Sequence, residues 1–180
     1  MVNRKLITAA MLTALSAVIG YAFMAVPNIE LFTATVFVSG FVVGPAYGPL
    51  IGALAELIYG TLNPFGASAM PLLVAQIISM SLVGFIGGLL RVNRWMHFSL
   101  GRKIIICALC GFFLTLIFDI LTTLSFAVFI AHGDTTKIAS IYASGALFYV
   151  THLVVNTVLF ATVVPIILNR VRTFQTSRNH

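Results

Sequence analysis

The sequence predicts an all-α membrane protein, a six-transmembrane-helix bundle with both termini cytoplasmic. Three observations predict it. The 180 residues are 60% hydrophobic and only 8% charged, with a mean hydropathy of +1.09. A water-exposed surface on a chain of this length needs far more charge, whereas lipid tolerates apolar side chains on a protein's exterior. Apolar runs alternate with short breaks rich in proline, glycine or charge. The basic residues gather in three of those breaks, as topology signals do. That placement also removes nucleic acid as the reason for a net charge of +6 with only 4 acidic residues, because the cations lie between and beyond apolar runs.

The first span runs from about Leu6 to Ala25, preceded by Arg4 and Lys5. A basic start and an apolar stretch resemble a signal peptide, but the stretch is long for one and no A-x-A site follows, so it reads as a retained helix. Val26-Pro27-Asn28 ends it, since proline stops a helix and asparagine favours a turn. The second span runs from about Leu31 to Val43. Gly44-Pro45-Ala46-Tyr47-Gly48-Pro49 then forms a tight turn. The third runs from about Leu50 to Leu62 and breaks at Asn63-Pro64-Phe65-Gly66. The fourth covers about Ala69 to Leu90. A basic break from Arg91 to Lys103 follows, then a fifth span over about Ile104 to Ala131 and a sixth over about Ile138 to Leu168. Spans two and three fall short of the roughly 20 residues a crossing needs. They are either shielded by neighbours or tilted and extended by their loops; a re-entrant pair, which must be buried in protein, is the other arrangement. The whole chain, 1–180, reads as a single transmembrane domain with a loop at about 91–103 and a tail at about 170–180.

An even number of spans puts both termini on one side. Arg4 and Lys5, then Arg91, Arg94, Arg102 and Lys103, then Arg170, Arg172 and Arg178 all fall on that side, while the other carries only Lys137. The positive-inside rule makes the first side cytoplasmic.

No G-x-x-x-x-G-K-[ST], H-E-x-x-H or G-x-S-x-G motif occurs. If the chain drives transport, its energy comes from partners or from an ion gradient. Cys107 and Cys110 form a C-x-x-C without a following histidine. On a helix they share a face and read as small packing residues, since a zinc site wants four ligands. No cofactor or metal is expected.

Candidate functional residues are the polar groups inside apolar spans. Glu56, Gln76, Asp119, His152 and Asn156 are of this kind. A carboxylate in the membrane is costly, so it faces the bundle interior and has a partner or a function. His152 and Asn156 share a helix face at i, i+4. Asp119 lies near mid-span with Thr122 and Thr123 one turn on, and an Asp119–His152 hydrogen-bonded pair at mid-depth follows. It serves either as glue between helices or as the floor of a ligand cavity. Asn28, Glu30, Asn63 and Phe65 lie in outer loops that could cover such a cavity, although Asn63 before Pro64 fits ordinary turn chemistry. The outer half carries no arginine, and phosphorylated or polycarboxylate ligands want arginine forks. A neutral, zwitterionic or weakly cationic ligand is expected. Ala10 and Ala14, continued by Ala17 and Gly20, give the first span a stripe of small residues on which another helix can approach closely, in this subunit or in a partner.

These residues resemble the S component of energy-coupling-factor (ECF) transporters. The family's A-x-x-x-A motif on the first helix matches Ala10-Met11-Leu12-Thr13-Ala14. Pro27-Asn28-Ile29-Glu30, the short apolar helix after it and Gly44-Pro45-Ala46-Tyr47-Gly48 resemble a subgroup proposed to handle corrinoids or other vitamins. So do Phe118-Asp119 with Thr122 and Thr123, and the pair His152 and Asn156. The resemblance covers about residues 5 to 170. Leu62-Asn63-Pro64-Phe65-Gly66 departs from the corrinoid subgroup in lacking a Gly- and Trp-rich run. The resemblance implies a subunit of a bacterial plasma membrane that captures a vitamin-like substrate from outside. It would dock on a membrane scaffold subunit through the alanine face and be driven by two ATPase subunits. It implies no enzyme activity and no nucleic-acid partner. The expected substrate-binding set is Asn28, Glu30, Asn63, Gln76, Asp119, Thr122, Tyr149, His152 and Asn156, with Ala10 and Ala14 docking the partner. Three rival readings remain at this point: a stand-alone carrier in which Asp119 and His152 relay protons, an intramembrane enzyme using the same pair, and a purely structural membrane partner.

Overall fold

The structure is a computed structural model that describes residues 4–25, 31–91, 93–132 and 134–177. Among them it holds six α-helices, one 3-10 turn and no strand. The helices are α1 (Arg4–Phe23), α2 (Leu31–Val43), α3 (Gly48–Thr61), α4 (Met70–Leu89), α5 (Leu100–Ala131) and α6 (Thr135–Ser177). Four of them, α1, α4, α5 and α6, are long and apolar enough to cross a membrane. Their outward faces carry large apolar side chains, among them Met11, Leu15, Val74, Phe113 and Val154. Water would reject such a surface, and hydrocarbon accepts it.

Of the two short helices, α2 sits in the middle of the bundle, while α3 packs at its side against α1, α2 and α4 and leaves Leu50, Leu54 and Leu57 exposed. In α2, nine residues are buried, including Val36, Phe37 and Phe41 with no exposed surface. Shielding by neighbours, one of the arrangements expected for this short span, is what the structure shows. The α2–α3 turn pivots on Gly44, whose φ of +97° suits a residue without a Cβ, and Pro49 enters the first turn of α3 where no donor is needed. α3 and α4 then meet backbone to backbone. A Cβ on Gly84 would collide with the Gly48 carbonyl, and one on Gly52 with the Met80 carbonyl. Gly48-x-x-x-Gly52 and Gly84-x-x-x-Gly88 are the spacing that permits such an approach.

Helix boundaries differ from the sequence reading at the end of the bundle where α1 begins. α5 begins at Leu100, so Lys103 is helical and the basic break is shorter than 91–103. Ser99 caps the helix, its Oγ accepting from the Arg102 N–H at 3.4 Å. α6 runs on to Ser177, through the segment expected to be a tail. Hydropathy marks where a chain leaves lipid; nothing between Leu168 and Ser177 breaks a helix. The remaining loop holds the 3-10 turn Asn93–His97 and is packed. Trp95 is fully buried, its Nε1 donating to Asn169 Oδ1 at 3.2 Å, and Lys103 Nζ donates to the same oxygen at 2.9 Å. At the opposite end, Asp134 starts α6 by accepting from the Thr136 and Lys137 N–H groups.

The small-residue stripe of α1 divides. Ala17 and Gly20 face inward, Gly20 against Phe32 and Tyr59, while Ala10 and Ala14 are exposed beside Met11 and Leu15.

Candidate functional site

On α5, Gly111, Thr115, Asp119 and Thr123 recur every four residues, so they form one stripe. On antiparallel α6, Tyr149, His152, Asn156 and Phe160 do the same at spacings of three and four. The two stripes meet as a seam. Thr123 Oγ1 donates to Tyr149 Oη at 2.9 Å. One turn deeper, His152 Nδ1 lies 2.7 Å from Asp119 Oδ1, with both side chains buried. An ionised carboxylate only accepts, so Nδ1 carries the proton in that state. Deeper still, Gly111 lets Phe160 approach; a Cβ there would sit 2.6 Å from the Phe160 Cβ. Between these rungs lie Thr115 and Asn156, both buried. The Thr115 hydroxyl and both amide atoms of Asn156 have no hydrogen-bond partner among the described residues. A buried polar atom left unpaired costs roughly 1–3 kcal/mol, which natural cores rarely tolerate without a reason.

Above the Asp119–His152 pair the seam opens into a cavity of about 430 Å³ between α5 and α6, with Leu72 of α4 at its side. Its polar groups are Asp119, Thr122, Thr123, Ser144, Tyr149 and His152; among the described residues no lysine or arginine lines it. Its apolar walls include Phe118, Phe126 and Phe148. The His152 ring is flanked by two of these, Phe148 at 5.6 Å and Phe118 at 6.2 Å between centroids. The cavity thus offers a carboxylate–imidazole pair at its floor and π faces at its sides. Such a combination can accept hydrogen bonds at its floor and stack against a ring at its sides.

The cavity brings together Asp119, Thr122, Tyr149 and His152 from the set expected on sequence. Asn156 lies one turn below and does not line it, and Gln76 on α4 is half-buried outside it, its Oε1 without a partner among the described residues. Asn63 is spent on its own turn: its Oδ1 accepts from the Phe65 N–H at 2.9 Å, and Phe65 points away, 81% exposed. Neither lines the cavity. Asn28 and Glu30 lie outside the described residues. Glu56 is buried on α3, away from the cavity and near Gly60. The sequence reading missed Phe126 and Phe148. Only Phe148, four residues before His152, carried a signal; one phenylalanine among fifteen is otherwise silent. Cys107 and Cys110 are free thiols packed in the α5 interface, and among the described residues no three His, Cys, Asp or Glu side chains cluster as metal ligands.

The profile of one family, described as ECF transporter, substrate-specific component, matches residues 4–168. The chain belongs to that family. As an S component it is a multi-pass membrane protein and a substrate-specific subunit of an ECF transporter. Membership implies a small-molecule substrate and interaction with scaffold and ATPase subunits. Comparison with curated proteins and with solved structures returned no match.

Proposed function

We propose that this S component captures a vitamin or related micronutrient from outside the cell in the α5–α6 cavity and delivers it inward with its scaffold and two ATPase subunits. The observation that carries the proposal is the Asp119–His152 pair, buried at the floor of an aromatic-walled cavity that opens at the end opposite the N-terminus. Holding a carboxylate there is expensive for an apolar bundle. A ligand that hydrogen-bonds to the pair would account for the expense.

The cavity's own chemistry narrows the ligand. With the Asp119 carboxylate at its floor and no lysine or arginine among the described residues of its lining, it disfavours anions, which favours a neutral, zwitterionic or weakly cationic molecule. Its volume sits near the lower end of the roughly 300–1,000 Å³ usual for small-molecule sites. That favours a compact ring-bearing ligand over a corrinoid. Thr122, Thr123 and Tyr149 would orient the ligand, and Asn156 would be reached when the ligand or the helices settle one turn deeper.

Six crossings with both termini cytoplasmic fit the way the helix ends alternate. The start of α1, the end of α2, Arg91 after α4 and the inner part of α6 meet at one end of the bundle. The exposed Ala10 and Ala14 would dock the scaffold. The chain has no P-loop of its own, so its reorientation is left to the ATPase partners.

Mass spectrometry of small molecules released from the purified chain tests the reading. One ring-bearing, non-phosphorylated compound at near-stoichiometric yield is expected. Asp119→Asn keeps an acceptor for His152 but removes the charge. It should weaken rebinding by about ten- to a hundredfold, as loss of a charge-assisted hydrogen bond does, with the protein still folded. A phosphorylated ligand, or undiminished binding by the variant, would refute it.

A further inference from the structure

A second and larger cavity, of about 700 Å³, lies at the other end of the bundle. Arg4 and Lys5 of α1, Arg91 after α4 and Arg170 of α6 line it, and among the described residues no acidic one does. Its walls are apolar, formed by Val42 and Val43 at the end of α2 and by Val171 and Phe174 of α6. Phe174 is 63% exposed. The positive-inside rule asks only that cations be present on one side of the membrane. It does not ask that residues 4, 5, 91 and 170 converge on one hollow while Arg102, at the same end, stays outside it. The convergence is built. Arg91 lies over the α2–α3 turn, its Nη1 3.6 Å from the Cβ position of Gly44, which brings a residue from the end of α4 to the end of α2.

A cluster of cations over an apolar wall, at one end of a membrane bundle, matches the two halves of one kind of molecule. We infer that this cavity holds an anionic glycerophospholipid, its phosphate among Arg4, Lys5, Arg91 and Arg170 and its upper acyl chain against Val42, Val171 and Phe174. Basic pockets between transmembrane helices on the cytoplasmic side recognise anionic headgroups through the same chemistry. Arginine suits the role because its fork meets two phosphate oxygens at once. The inference needs only that the chain sits in a membrane and is independent of the ligand proposed for the outer cavity.

Native mass spectrometry of the purified full-length chain, titrated with phosphatidylglycerol or phosphatidylcholine, tests it. The chain should retain phosphatidylglycerol selectively, and rising salt should weaken retention. The double variant Arg91→Ala/Arg170→Ala should lose about thirtyfold in phosphatidylglycerol affinity, the effect of two cations near an anionic leaflet. Arg91→Lys/Arg170→Lys should keep most of it, and Arg102→Ala all of it. Equal retention of the two lipids, or an alanine pair that binds like the parent, overturns the inference. So does a lysine pair that falls as far as the alanine pair, because charge is then not what holds the lipid. Displacement of the lipid by millimolar inorganic phosphate would mark a soluble phosphate site instead. Loss of scaffold co-purification with lipid retention intact would mark a protein-docking surface.

Discussion

Asn156 separates two roles that a buried polar residue in a membrane helix can take. If it tied helices together, it would be hydrogen-bonded; in the structure neither amide atom has a partner among the described residues. Replacing an unpaired buried amide by an apolar group of similar shape is close to neutral or stabilising. Asn156→Leu is therefore expected to leave the melting temperature in detergent unchanged or slightly raised and to weaken ligand binding at least tenfold. A drop in melting temperature with binding intact would make Asn156 structural. The Asp119–His152 pair was legible in the sequence for the same physical reason that makes it costly. A carboxylate in an apolar span must find a partner, and a histidine on the neighbouring span is the natural one. Asn63 was less legible as a site residue. An asparagine before proline serves its own turn, as the bond to the Phe65 N–H shows.

Among the elements, α3 and α4 depend on glycine and α1 does not depend on its outward alanines. Gly84→Ala would drive a Cβ into the Gly48 carbonyl, and overpacking of this kind costs about 1–3 kcal/mol. A matching loss of thermal stability is expected. Gly101→Ala, in the first turn of α5 with nothing within 4 Å of the added carbon, should instead hold or raise stability by a few tenths of a kcal/mol, up to about 1. Comparing the two melting curves checks both. Ala10→Leu and Ala14→Leu lie on an exposed face and should leave stability and ligand binding unchanged. Each is expected to reduce co-purification with the scaffold subunit severalfold. Ligand loss with assembly intact would reverse that division. The α3–α4 contact could have been read from the two four-residue glycine spacings. The helix ends could not, because polar residues at the C-terminal end of α6 continue a helix as readily as a tail.

At the scale of the molecule, the three basic clusters and the run of apolar segments specified how many helices there are and in what order. They left the central position of α2 and the lateral one of α3 open, since a short span reads alike whether it is shielded, tilted or re-entrant. They also left the cationic cavity unseen, because it exists only where four distant stretches of chain converge. Orientation is directly testable. With Cys107 and Cys110 replaced by alanine, Asn63→Cys should react with a membrane-impermeant maleimide added to intact cells, and His97→Cys should react only after lysis. The opposite pattern would invert the bundle and place the α5–α6 cavity on the inner face.

The burial of Trp95 gives the molecule its own optical gauge. It is the single tryptophan of the chain, and it is clasped to Asn169 near the C-terminal end of the longest helix. Its fluorescence therefore reports one junction and nothing else. Emission stays blue while the loop is seated and moves red when α6 pulls away. A transport cycle that tilts this helix would be visible in unlabelled protein, in real time.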